Sequence, residues 1–159
     1  TEYFSFYCPH CYSFESTIGK VKQRIAGKAQ FQKVHVSFMG GHMAVSMAKA
    51  YATMVVLEVE EKMIPVIFKQ IHEIKRAPRN DQTLRQIFID HGVDAEKFDA
   101  AFNSFVVDSM QRRFDEAFKS AGLSSVPSVV VNNKYLLTPD ESIKSLDDYM
   151  ELVEFLLKK

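Results

Sequence analysis

The sequence has little cysteine, no net charge and no long apolar run. Only two of its 159 residues are cysteines, so a scaffold held together by several disulfides is excluded. The 20 basic residues balance the 20 acidic ones. This leaves no excess of positive charge for binding nucleic acid and no polybasic block for a membrane surface. The longest apolar stretches, such as ATMVVL, are far too short to cross a bilayer.

The sequence also begins without Met and without a signal peptide. Its first residues already have the composition of a strand. We therefore expect either that a leader has been removed or that the first element of the fold is missing. The length suits one domain, or one domain with an insertion, and the 47% of hydrophobic residues can fill a core.

Both cysteines lie in the opening stretch TEYFSFYCPHCYSFE, as Cys8 and Cys11. The aromatic residues of 2–7 predict a buried strand before them. Pro9 suits the first position of a helix, and the spacing of apolar residues predicts that this helix extends over 9–26. The two thiols are thus predicted at the junction between a strand and the N-terminus of a helix.

The rest of the chain contains further strands and a block of helices. Apolar patterning predicts strands at 30–38, 127–131 and 134–137. Asn132 and Asn133 tolerate positive φ and predict a tight hairpin turn. Helical spacing predicts a last helix that starts at Ser145 and, before it, helices at 44–59, 61–74, 80–92, 94–105 and 107–122. This order predicts an α/β protein with one mixed sheet and an all-helical insertion.

A Cys-x-x-Cys pair at a helix start is typical of a thioredoxin-like redox site. Cys8 would lie where unpaired backbone N–H groups and the helix dipole favour a thiolate, the form that attacks disulfides. Cys11, one turn later, would be more buried and would act as the resolving thiol. Pro9 restricts the turn, and His10 adds a ring N–H or a positive charge near the Cys8 sulfur. These features favour the reduced pair and therefore predict a disulfide donor.

Two other interpretations of the cysteine pair stay open: half of a zinc site, or two inert thiols. A structural zinc ion needs four ligands, and the sequence has no second cysteine pair. His10, His35 and His42 could contribute ligands, but Pro9 and the aromatic neighbours fit such a site poorly. The sequence therefore predicts no metal.

The second candidate feature is Val126–Pro127, at the start of a predicted strand. A thioredoxin-like site needs a proline loop that faces the cysteines, usually through a cis bond, and offers backbone groups to an extended peptide. The other interpretation is an ordinary edge-strand proline. Together with the cysteine pair and the order of elements, the cis interpretation is favoured.

Four segments resemble the DsbA family of periplasmic thiol:disulfide oxidoreductases, and within it the TcpG-like branch: FSFYCPHCYSFE, HVSFMGG, FDAAFNSFVVDSM and VPSVVVNNKYLL. The resemblance covers nearly the whole chain. It implies a thioredoxin-like fold with an inserted all-helical domain. The thioredoxin-like domain would comprise 1–38 and 114–159, without the strand with which family members begin, and the helical insertion would comprise 39–113.

The resemblance also implies roles for single residues. It makes Cys8 the exposed nucleophile, Cys11 its buried partner and Pro127 the cis-proline. Glu2 and Lys33 match a buried acid and a lysine of the family that could relay protons to or from Cys11. A structural ion pair is an equally good interpretation of these two residues.

Four further positions match the rim of the family's peptide groove: Phe38, Met39, His42 and Val126. An exposed Met in a groove suits varied substrates, although a Met in the core is the more usual case. His35 also matches a family histidine, and we interpret it as a core histidine whose hydrogen bonds are satisfied.

The implied function is donation of the Cys8–Cys11 disulfide to newly translocated proteins through a mixed disulfide at Cys8. A DsbB-like membrane quinone reductase would restore the disulfide, and no cofactor besides that disulfide is expected. The expected form is a monomer in the periplasm. The alternatives are an isomerase or reductase, a peptide-binding chaperone, and a glutathione-dependent enzyme on the same scaffold.

Overall fold

The computed structural model describes residues 1–138 and 142–159, which are built around a four-stranded sheet. In chain order, the strands are β1 (Glu2–Phe4), β2 (Lys33–His35), β3 (Ser128–Val131) and β4 (Tyr135–Leu136). Their spatial order is β2-β1-β3-β4. β1 is parallel to β2 and antiparallel to β3, and β3 is antiparallel to β4. This register places Glu2 directly beside Lys33.

Seven α-helices are present in the described part of the chain. They are α1 (Pro9–Ile25), α2 (Ala44–Val56), α3 (Glu60–His72), α4 (Asp81–Asp90), α5 (Ala95–Phe102), α6 (Phe105–Ser120) and α7 (Leu146–Leu157). Four helices begin after a polar residue whose side chain accepts a hydrogen bond from the backbone N–H three residues later, namely Asn80, Asp94, Ser104 and Ser145. Among the described residues, no helix has the length and hydropathy needed to cross a membrane.

The strands are shorter than the sequence predicts. The predicted strand 2–7 is wrong in its second half, because β1 ends at Phe4 and a turn follows. In that turn the Cys8 N–H donates to the Ser5 carbonyl (3.1 Å), and the Tyr7 N–H donates to Ser5 Oγ (3.0 Å). The predicted strand 30–38 likewise shrinks to the three residues of β2. The aromatic residues after Phe4, such as the buried Phe6, fill the core and do not pair with a neighbouring strand.

The predicted hairpin turn is confirmed. Asn132 and Asn133 have φ values of 56° and 55°, and they connect the antiparallel strands β3 and β4. Two consecutive positive φ values are typical of the tight turns that match the twist of a hairpin, and asparagine tolerates them well.

Two large apolar clusters form most of the core. One joins β1 and the start of α1 to the helices between β2 and β3, and includes Phe4, Phe6, Cys11, Met47, Met54, Phe68, Phe88 and Phe98. The other joins α1, β3 and α7, and includes Ile18, Val21, Val129, Val131, Tyr149 and Val153. Each buried large side chain contributes about 1.5–3 kcal/mol. The first cluster therefore holds the start of α1 in place, and the second holds its middle and end. The predicted domain boundary between residues 113 and 114 falls inside α6, which is continuous there.

Candidate functional site

Cys8 is the N-cap residue of α1. Its backbone is extended (φ −86°, ψ 116°), and Pro9 follows as the first helical residue. Cys8 Sγ accepts a hydrogen bond of 3.2 Å from the backbone N–H of Cys11, one of the groups that a helix start leaves without a partner. The positive end of the helix dipole therefore acts on the Cys8 sulfur, and both effects stabilise negative charge there.

The two thiols differ in their surroundings. Cys8 is 4% exposed and Cys11 is fully buried, and both are free thiols in this structure. Burial raises the pKa of the Cys11 thiol far above its usual range, and its contact with Cys8 raises it further. Cys11 therefore holds its proton firmly. Cys8 is less exposed than the sequence predicts, because it packs in the same core cluster as Cys11 and only 4% of its surface stays exposed. This asymmetry is the one that an attacking and a resolving thiol require.

The loop before β3 faces the cysteines. The Val126–Pro127 peptide bond is cis. The Val126 carbonyl oxygen lies 3.7 Å from Cys8 Sγ, although 118 residues separate the two in the chain. The structure thus brings Cys8, Cys11 and the Val126–Pro127 loop together, as the sequence analysis expected.

Pro9 and His10 lie between the cysteines on the outer face of α1. Both side chains are exposed, so solvent or a bound chain can reach them. The first turn of α1 contains no acidic residue, so no carboxylate there opposes the field that acts on Cys8.

Glu2 and Lys33 form a buried ion pair next to this site. Lys33 Nζ lies 2.7 Å from Glu2 Oε1 and 2.8 Å from Glu15 Oε2. The side chain of Glu2 is fully buried and that of Lys33 is 5% exposed, whereas that of Glu15 is 26% exposed. The three groups therefore lead from the buried sheet edge toward solvent. A cavity of about 650 Å³ is lined by Glu15 and Lys33 and opens beside them.

Two carboxyl groups share one ammonium in this cluster, so one of them tends to hold a proton. Burial raises the pKa of Glu2 to about 7, although the adjacent Lys33 opposes the shift. Burial would lower the pKa of Lys33, but Glu2 and Glu15 outweigh that effect and raise it. Glu2 Oε2 is buried without a hydrogen-bond partner among the residues described. Glu2 is therefore poised to gain or lose a proton near neutral pH.

Glu2→Gln should change how stability depends on pH. Because the pKa of Glu2 is about 7 in the folded protein and about 4.5 when unperturbed, the folded state binds more protons between these values. Stability contributed by Glu2 is therefore present below pH 4.5 and falls as pH rises toward 7, by about 3 kcal/mol if the whole shift is expressed. Urea unfolding across this range should give a smaller decline for Glu2→Gln. Groups that do not interact with Glu2 titrate alike in both proteins, so parallel curves would contradict the shift.

His35 is a core histidine with both ring nitrogens in hydrogen bonds. Nε2 accepts from the Phe6 N–H (3.1 Å), and Nδ1 lies 2.8 Å from the Val36 carbonyl, so Nδ1 carries the proton. Burial lowers its pKa to about 3. His35 is therefore neutral, and it fixes the turn before Cys8 as a structural group, in agreement with the sequence interpretation.

The predicted rim residues lie in different environments. Phe38 is 56% exposed and stacks on Phe118, with 5.5 Å between ring centroids. Met39 is half-buried and packs against the core cluster that includes both cysteines. His42 is exposed, and its Nε2 lies 2.8 Å from the Arg79 carbonyl. Their part in a peptide groove stays a prediction.

Gly40 links this rim to the active-site turn. Its φ is +103°, and a Cβ added there would lie 2.3 Å from the ring of Tyr7, the residue before Cys8. Gly40→Ala should therefore cost about 1–3 kcal/mol in the free energy of unfolding, because both the backbone and the Tyr7 ring must move. Gly122→Ala is the matched control, since Gly122 also has positive φ (+69°) but has open space around it. Equal losses in urea unfolding would contradict the proposed contact.

Comparison with known proteins identifies the family. Residues 1–151 match the family model of the DSBA-like thioredoxin domain. The chain belongs to the DsbA family. The thiol:disulfide interchange protein DsbA of Escherichia coli K12 is 34% identical over 166 residues, which cover 99% of this chain and 79% of that protein. The protein of the same name from Dickeya dadantii is 35% identical over the same length.

Solved structures confirm the predicted fold class. The disulfide oxidoreductase DsbA from Proteus mirabilis superimposes with a TM-score of 0.91 at 36% identity, covering 99% of this chain and 87% of that chain. A cysteine-to-serine variant of Proteus mirabilis DsbA in complex with a non-covalently bound peptide, PWATCDS, gives 0.85 at 33% identity, with 99% and 88% covered. The narrower assignment to a TcpG-like branch stays a prediction.

Two parts of this DsbA site were not predicted from the sequence. Glu15 lies on α1, and only the fold reveals that it shares Lys33 with Glu2. The other part is the end of α3, where the His72 ring stacks on Tyr12 (5.4 Å between centroids, 11° between planes). His72 Nε2 lies 2.6 Å from the Phe6 carbonyl. Helical spacing predicted α3 but gave no sign that its last turn reaches both sides of the cysteine pair.

Proposed function

We propose that this DsbA family member donates the Cys8–Cys11 disulfide to pairs of thiols in other proteins. A substrate thiolate attacks Cys8 Sγ, the bond between the two sulfurs of the enzyme breaks, and Cys11 leaves with the electron pair and takes up a proton. A second substrate thiolate then attacks the substrate sulfur of the mixed disulfide and releases Cys8 as a thiolate. The substrate is oxidised by two electrons, and the enzyme is reduced by two.

The observation that carries this proposal is the hydrogen bond from the Cys11 N–H to Cys8 Sγ at the start of α1. It stabilises the leaving Cys8 thiolate in the second step, so the reduced enzyme is favoured over its disulfide. The burial of Cys11 supports the assigned order, because Cys11 has no exposed surface whereas 4% of Cys8 remains exposed.

We propose that Glu2, Lys33 and Glu15 move the proton that Cys11 needs. Cys11 becomes a thiol when the disulfide opens, and its raised pKa requires a proton at once. The Glu2 charge acts on Cys11 directly and, with a pKa of about 7, Glu2 can supply a proton. Glu15 is partly exposed and lines the cavity, so it can return a proton from solvent through the shared lysine.

We further propose that the substrates are unfolded or newly translocated proteins in the periplasm. The Proteus mirabilis relative, which was solved with a non-covalently bound peptide, supports a peptide segment as the bound form. A DsbB-like membrane quinone reductase would reoxidise the pair, the protein would act as a monomer, and the disulfide itself would be its redox group. No group of three or more His, Cys, Asp or Glu side chains that could hold a metal ion occurs in residues 1–138 and 142–159.

Single-turnover oxidation of a reduced two-cysteine peptide tests the proposal. The protein is first oxidised, freed of oxidant and mixed with one equivalent of peptide, and acid-quenched samples are analysed by mass. We expect one peptide disulfide for each enzyme disulfide consumed. The same protein reduced beforehand is the control. Scrambled-disulfide peptides should be rearranged much more slowly, and the reverse preference would point to an isomerase or reductase.

A further inference from the structure

A positively charged segment begins beside the cysteine pair. It comprises residues 73–79, sequence EIKRAPR, and is called the basic rim segment below. Immediately before it, His72 Nε2 lies 2.6 Å from the carbonyl of Phe6, two residues ahead of Cys8. At its other end the Arg79 carbonyl lies 2.8 Å from His42 Nε2. Both ends are therefore held against elements that border the site.

The backbone of this segment is fixed from within as well. The Arg76 N–H donates to the Gln70 carbonyl (3.0 Å), and Gln70 Nε2 donates to the Arg76 carbonyl (2.9 Å). Lys75 takes a positive φ of 62° to make this bend, and Pro78 is buried. The segment therefore presents its charges from a defined position.

Among residues 1–138 and 142–159, no acidic side chain pairs with the cations of this segment. Lys75, Arg76 and Arg79 are exposed, and none of them forms an ion pair within the described part of the chain. The segment's own acid, Glu73, instead accepts the hydrogen bond of the Tyr12 hydroxyl. The next acid along the chain is Asp81, in the first turn of α4. Since the whole chain has zero net charge, three unpaired cations here are a local excess.

We propose that the basic rim segment binds acidic residues of the substrate near the cysteine that Cys8 attacks. This inference rests on the oxidase activity proposed above. The His72–Phe6 contact fixes the start of the segment beside the turn that leads to Cys8. Carboxylates that flank a substrate cysteine bound at Cys8 would therefore come near the cations. Attraction between unlike charges speeds encounter and weakens as salt rises. An acidic peptide is favoured over an anionic lipid surface because the residue just before the segment, His72, contacts residues on both sides of the cysteine pair.

Three reduced peptides test the proposal. They share one cysteine pair and carry flanking residues that are acidic, neutral or basic. Their oxidation by the disulfide form is followed by rapid quenching, at low and at high salt. The rim variant carries Lys75→Gln, Arg76→Gln and Arg79→Gln. The control variant carries Lys20→Gln, Lys119→Gln and Lys134→Gln, which remove the same charge from exposed positions elsewhere.

At low salt the control variant should oxidise the acidic peptide about tenfold faster than the rim variant does, while the neutral peptide reacts equally with both. Comparing two proteins on one peptide cancels the peptide's own reactivity, and high salt should remove the difference. Equal rates for the acidic peptide would overturn this inference and leave the oxidase activity standing. The inference would also be overturned if the rim variant oxidised the acidic peptide at the control's rate and lost only its binding to vesicles of anionic lipid. Failure of all three peptides would overturn both proposals.

Discussion

Cys8→Ser should abolish oxidation of dithiol peptides, and it should also remove the reaction with oxidised glutathione. The remaining thiol, Cys11, is fully buried and its pKa is raised, so it is rarely present as an accessible thiolate. We expect the variant to form a mixed disulfide with glutathione at least about a hundredfold more slowly than a protein in which Cys8 is the single thiol. Intact mass measured over time reports the extent of reaction.

Cys11→Ser is the matched control for this experiment. It keeps Cys8 and the hydrogen bond that the Cys8 sulfur accepts from the backbone N–H of residue 11. Cys8 therefore attacks oxidised glutathione, releases one glutathione and retains the other, because no second thiol resolves the mixed disulfide. Equal rates for the two variants would contradict the assignment of Cys8 as the attacking residue.

Lys33→Met should lower the free energy of unfolding more than Gly40→Ala or Lys28→Met does. It removes the ammonium held 2.7 Å from Glu2 and 2.8 Å from Glu15, and it leaves the Glu2 carboxyl in a fully buried position. Removing one partner of a buried pair costs about 3–5 kcal/mol, because the other charge stays desolvated. Urea unfolding at pH 8 should show this loss. At pH 5 the loss should be smaller, since Glu2, with a pKa of about 7, then takes up a proton.

Two further proteins make this test specific. Lys28→Met removes an exposed lysine that lies 3.7 Å from Glu154, and it should cost less than about 1 kcal/mol. Adding Glu2→Gln to Lys33→Met removes the unpaired carboxyl and should restore most of the lost stability, a coupling that a double-mutant cycle measures. A cost below about 1 kcal/mol for Lys33→Met at pH 8, or no recovery in the double variant, would show that the cluster does not carry buried charge.

Local sequence signals were enough to predict the elements around the redox site. The cysteine pair follows a buried strand. Cys8 is the N-cap of α1 and Pro9 is its first residue, so neighbouring residues specify where the helix begins. The paired asparagines encode the hairpin for the same reason. These features depend on neighbours in the chain, so patterning identifies them.

Features that depend on distant neighbours were missed or placed wrongly. Nothing in the sequence around Glu15 shows that it meets Lys33, because the contact exists only once α1 packs over the sheet. The reach of His72 to the Phe6 carbonyl spans 66 residues and follows from the docking of α3. The strand at 2–7 was predicted too long because burial and aromatic content look the same in a strand and in the turn at Ser5.

The reduction potential of the Cys8–Cys11 pair tests the central claim most directly. Equilibration with glutathione buffers, followed by acid trapping and mass analysis, gives the ratio of dithiol to disulfide. If the start of α1 stabilises the Cys8 thiolate, the potential lies well above the value of about −270 mV for thioredoxin and toward about −120 mV, a value for which DsbA is itself the established example. A potential at or below about −270 mV would mean that the start of α1 does not favour the reduced pair, and it would contradict the assignment of this protein as a disulfide donor.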